Sequence, residues 1–173
     1  MADETSKQGP ASTPTKPGDL AARVGPAGTA PGHPAGIRIR LEVRGGLSGE
    51  RYELRFELDE TGETTAALLD QIRKVEIPPR LGKVSRDDFL RVLRETDLSR
   101  MAELARTRRP IPPDSLIGRL TIGDGEQEVR AVFMADRGQA DAAGWRADPG
   151  LQQVLDTLYR LAARQLGVKD VRS

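Results

Sequence analysis

Residues 37–58 read IRIRLEV (37–43), RGGLSGE (44–50) and RYELRFEL (51–58). On both sides of the middle segment, apolar and charged residues alternate strictly. A period of two marks a β-strand with one face buried and one face wet. Ile37, Ile39, Leu41 and Val43 point one way, and Arg38, Arg40 and Glu42 the other. Tyr52, Leu54, Phe56 and Leu58 repeat the pattern on the return strand. The glycine-punctuated middle is longer than a two-residue turn, so it is expected to bulge or project. The rest of the chain is expected to cover the apolar side of this hairpin.

Upstream, residues 1–36 hold six prolines and six glycines, and their charges cancel. Such a segment buries too little apolar surface to offset the entropy of ordering it. It reads as a disordered tail, with a partner-binding peptide as the other reading.

Downstream, Asp59 to Gly62 closes the second strand. The spacing of Leu68, Leu69, Ile72 and Val75 predicts a helix over 64–74, capped by Thr64 or Thr65. Pro78 and Pro79 end it, and residues 76–84 read as a connector. Ser85 with Asp88 three residues on resembles a capping box. The helix it opens carries Phe89, Leu90, Val92 and Leu93, with Asp87, Arg91 and Glu95 spaced for pairing on the outside. A further helix from Asp97 is expected to end in Arg106, Arg108 and Arg109, before Pro110, Pro112 and Pro113.

A second hairpin runs from Leu116 to Ile122, turns at Gly123, Asp124 and Gly125, and returns through Val129, Ala131 and Phe133. Val132 and Met134 fall on the other side of the return strand, which suggests a strand that is covered twice or lies centrally. Residues 135–147 form a loop with the single tryptophan, Trp145. Asp148 and Pro149 open a last helix bearing Leu151, Val154, Leu155, Leu158, Leu161, Ala162 and Leu166, with Gly167 after it. The expected fold is α+β: an antiparallel sheet of two β-hairpins covered on one face by helices, in the order ββ-α-α(α)-ββ-α. One domain spans 37–168 with a helical insertion at 76–113, and 169–173 is a C-terminal tail.

Composition narrows the function. The net charge of +1 on 173 residues gives no single-sign field to draw the chain onto DNA or a membrane. Aromatic residues make up 3%, which argues against reading single strands by base stacking. No cysteine is present, so disulfides and thiolate sites are excluded. No apolar run suffices for a transmembrane helix, and the first residues lack the features of a signal peptide. The expectation is a cytoplasmic protein, bacterial-like in its richness in Arg, Ala, Gly and Pro.

The usual nucleophile-base machinery is missing, while the abundant carboxylates leave a general acid/base pair open, with nothing to mark one as buried. His33, the single histidine, lies in the tail, which excludes a histidine-based zinc site and a Ser-His triad. The loop Arg44, Gly45, Gly46, Leu47, Ser48, Gly49 lacks the lysine-serine pair of a P-loop, and a strand follows it, not a helix. It reads either as a plain hairpin loop or as a recognition loop. Asp124 reads as a turn residue. Arg106, Arg108 and Arg109 are a solvated helix end or an anion site; seven arginines against five acids over 86–109 leave a small excess. Trp145 is a lid on the core or an exposed anchor for a partner. No metal, cofactor or enzymatic activity is expected.

The order of elements resembles the emfourin family. The resemblance lies in a strand ending in Arg44-Gly-Gly-Leu-Ser-Gly49, a second alternating strand, a helix, the stretch from Leu116 to Gly125 with a strand after it, and a closing Leu-rich helix. It covers residues 37–75 and 114–167. Emfourins are small bacterial inhibitors of protealysin, a thermolysin-like (M4) zinc metallopeptidase. Family members are shorter, without the 36-residue tail or the arginine-rich insertion. The resemblance implies cleft occlusion by a rigid loop, with Leu47, framed by glycines on an otherwise polar loop, as an apolar anchor. The other expectation is a non-inhibitory module that docks a protein or nucleic acid through the insertion or the tail.

Overall fold

A computed structural model describes residues 36–47, 50–97, 115–124, 126–135 and 149–172. The expected N-terminal tail, the second helix of the insertion and the loop bearing Trp145 lie outside them. Among the described residues the elements are β1 (Arg38–Leu47), β2 (Glu50–Asp59), β3 (Glu63–Asp70), β4 (Val75–Lys83), α1 (Arg86–Glu95), β5 (Ile117–Gly123), β6 (Glu128–Met134) and α2 (Pro149–Leu166). The strands form one sheet in the order β4-β3-β2-β1-β5-β6. Every neighbouring pair is antiparallel, so the fold is α+β.

Alternation along β1 and β2 places Ile39, Leu41, Val43, Leu54, Phe56 and Leu58 in the core, each 2% exposed or less. Leu120, Ile122, Val129 and Ala131 extend that layer across β5 and β6. Phe89, Val92 and Leu93 of α1, with Val154, Leu155, Leu158 and Ala162 of α2, belong to the same cluster. Ser85 caps α1 as expected: its side chain accepts from the backbone N–H of Asp88. Gly167 ends α2 at φ +73°, the left-handed conformation that glycine adopts without strain. Gly118 leaves the space that the Phe133 ring fills, since a Cβ there would lie 2.1 Å from the ring.

Two expectations are overturned between residues 63 and 83. The helix expected over 64–74 is strand β3, and the connector expected over 76–84 is largely strand β4. The observed order is therefore ββββ-α-ββ-α, and the insertion expected to be helical from 76 begins with a strand. The cause is a turn. Asp59 Oδ1 accepts from the N–H groups of Thr61 (2.9 Å) and Glu63 (3.0 Å), and Gly62 N–H donates to Asp59 O (3.0 Å). Gly62 takes φ +82°. The turn sends residues 63–70 back along β2, where they pair with backbone groups that would otherwise be an open edge. Pro78 and Pro79 are compatible with β4 because it is an edge strand with a register shift opposite Ala67.

Two smaller differences concern the ends. β6, which could have been central, is the other edge strand; Val132 is 38% exposed while Met134 is buried. The C-terminal residues expected as a tail pack back on the domain, with Val171 fully buried in the core.

Candidate functional site

The two described helices pack on the apolar side of the sheet, so the charged residues of β1 and β2 line the other. The β1–β2 register runs without a break from Arg38↔Asp59 to Leu47↔Glu50, leaving only Ser48 and Gly49 between the paired residues. The long bulging loop expected over 44–50 is instead a continued strand pair. Gly45 pairs with Tyr52 and Gly46 with Arg51.

The flanking strands stop short of this tip. β5 pairs with β1 only as far as Arg44↔Ile117, and β3 pairs with β2 only as far as Tyr52↔Asp70. Beyond those residues no strand among the described residues pairs with the ribbon. Gln71 steadies its base: its N–H donates to Arg51 O (3.0 Å), and its Oε1 accepts from Arg51 N–H (2.6 Å). Gly45 has a packing reason to be glycine. A Cβ there would lie 2.4 Å from Ser115 O and 3.0 Å from Leu116 Cα, so only a bare backbone lets that segment pass.

Beneath the tip, Glu53 is the centre of an arginine cluster. Arg55 donates to its Oε1 through Nε (2.9 Å) and more closely through Nη2. Arg51 donates to Oε2 (3.2 Å), and Arg44 Nε lies 3.4 Å from Oε1. The Arg55 hydrogen bond, with the positive charges of Arg55, Arg44 and Arg51, holds the Glu53 carboxyl below the usual carboxylate range. One row further on, Arg119, Glu42 and Arg55 face one another across β5, β1 and β2. Arg40 pairs with Glu57 at 2.9 Å in the next row.

Of the residues singled out in the sequence, the structure brings Arg44, Gly45, Gly46 and Leu47 together on the end of β1. Ser48, Gly49, Trp145, Arg106, Arg108 and Arg109 lie outside the described residues. Glu53, Arg51, Arg55, Gln71 and Arg119 were missed as site residues. For the first three the signal was present, since the alternation in 51–58 puts them on one face, but period alone does not tell a solvated face from a working one. Asp124 is a turn residue: its Oδ1 accepts from the N–H groups of Glu126 and Gln127. Among the described residues no three His, Cys, Asp or Glu side chains gather to hold a metal ion. Nor is any helix among them long and apolar enough to cross a membrane. No protein-family model matches the chain, and no curated protein matches it either.

Proposed function

We propose that the chain inhibits or regulates a thermolysin-like zinc metallopeptidase by placing the tip of the β1–β2 ribbon in the peptidase cleft. The supporting observation is that the ribbon stays in register to Leu47↔Glu50 after its flanking strands have ended. A preorganised projection loses little conformational entropy on docking, which favours affinity. Its backbone groups are paired with one another, so it resists the extended single-strand form that a peptidase cuts. The Arg-Gly-Gly-Leu-Ser-Gly stretch that carries the emfourin resemblance ends at this tip, with Leu47 its apolar residue.

The test is inhibition of thermolysin by the full-length protein. Wild type inhibits, and Leu47→Arg raises the inhibition constant at least about tenfold, as loss of an apolar anchor does. An unchanged constant removes the tip from the mechanism. Failure of the wild type to inhibit thermolysin and protealysin sinks the reading.

A further inference from the structure

We infer that the open face of the sheet beside the tip binds a carboxylate-rich protein surface through Arg44, Arg51, Arg55 and Arg119. The first three side chains are 57%, 67% and 55% exposed, whereas the carboxylates they hold are tucked beneath: Glu53 is 14% exposed and Glu42 25%. What a partner meets is therefore mainly guanidinium, although the charges in the layer nearly balance. Arg119 sits on the same face, is exposed, and has no ion-pair partner among the described residues.

Glu53 also restrains the arginines. A guanidinium already held by one carboxylate loses less rotamer freedom when it takes a second, and its remaining N–H groups keep the fork geometry that grips a carboxylate. Spacing favours a protein partner over nucleic acid. Acids and arginines alternate between neighbouring strands about 4.8 Å apart. A duplex carries a phosphate charge about every 1.7 Å of axis and would press some of them onto Glu42, Glu53 and Glu57. Separate carboxylate side chains on a protein can reach individual arginines and avoid those acids.

The inference is independent of the peptidase reading, because a different probe tests it. Immobilised full-length protein is titrated at low ionic strength with poly-L-glutamate and, separately, with a duplex DNA. Poly-glutamate binding is expected to weaken about threefold in Arg119→Gln and about tenfold when Arg55→Gln is added, the scale of rim-charge effects on association. The melting temperature of Arg119→Gln, which sets no second carboxylate opposite Glu42, is expected to match wild type, which separates lost binding from lost folding. Absent poly-glutamate binding, or binding indifferent to both variants, overturns the inference. Tighter binding of DNA that the same variants abolish also overturns it, in favour of a nucleic-acid face.

Discussion

The phenol of Tyr52 donates a hydrogen bond to the backbone carbonyl of Val171, 119 residues further along the chain. Arg73 Nη2 donates to the next carbonyl, Arg172 O, at 2.7 Å, and Arg172 in turn reaches Asp156 of α2 at 3.0 Å. The last residues thus clasp the base of the tip-bearing hairpin to α2. Burial pushes the Tyr52 pKa well above the usual tyrosine value.

That clasp makes stability depend on alkaline pH. The folded state holds the Tyr52 proton more tightly than the unfolded chain, so its contribution is complete below about pH 10, the unfolded pKa. It declines as pH rises through that value. Tyr52→Phe is expected to lose about 1 kcal/mol near neutrality and to flatten the alkaline fall. Urea unfolding at neutral and alkaline pH measures both. Parallel alkaline limbs for the two proteins would refute the assignment.

Removing residues 169–173 is expected to cost about 1.5–3 kcal/mol, the value of burying the Val171 side chain, besides the lost hydrogen bonds. Chemical denaturation of the truncated protein checks this. A change within about 0.5 kcal/mol would return the segment to the status of a tail.

Gly118→Ala is expected to destabilise by about 1–3 kcal/mol, because the new methyl group meets the Phe133 ring. Phe133→Ala opens that space at its own cost of about 3–5 kcal/mol. The two costs should therefore fail to add, and the double variant should be more stable than their sum predicts. Additive costs in a double-mutant cycle would mean that the ring and the glycine are not in contact.

The arginine cluster gives an acid-side prediction. Glu53 has a lowered pKa in the fold, so its contribution is present above the unfolded carboxylate value, about 4.3, and is lost as pH falls below it. The arginines are more than half exposed, so salt and water keep the effect small. An NMR titration of the Glu53 carboxyl should give a midpoint below the usual range, moving upward in Arg55→Gln. A midpoint unmoved by that change would dissociate Arg55 from Glu53.

Much of this architecture was legible where residue period and surroundings agree. Strands β1, β2, β5 and β6, the Ser85 cap and α2 follow from alternation, capping chemistry and helical spacing. Strand β3 did not, and its residues show why. Thr64-Thr65, Ala66-Ala67 and Leu68-Leu69 are identical pairs, so each face of the strand receives the same residue types and the period of two disappears. Only Ala66 and Leu68 of the Ala and Leu pairs join the core. Strand β4 was obscured by Pro78 and Pro79, which suit an edge with a register shift but look like breakers in one dimension. At the candidate site, the glycines of 44–49 were visible, but Gly45 and Gly46 belong to a continued strand pair where a longer hairpin loop was expected. The close approach of Ser115 to Gly45, which explains one of them, joins residues far apart in the chain.

By itself the sequence determined which residues of the first hairpin face the core and which face water, because side-chain direction in a strand is set locally by the backbone. Tertiary structure decided that residues 63–83 would be strands. The open edge of β2 offered hydrogen-bond partners, and this outweighed a local spacing that suits a helix. It also decided how far the ribbon runs past its described neighbours, since that depends on where β3 and β5 end, and where residues 171 and 172 fasten, since Tyr52 and Val171 lie 119 residues apart and are joined only by the fold.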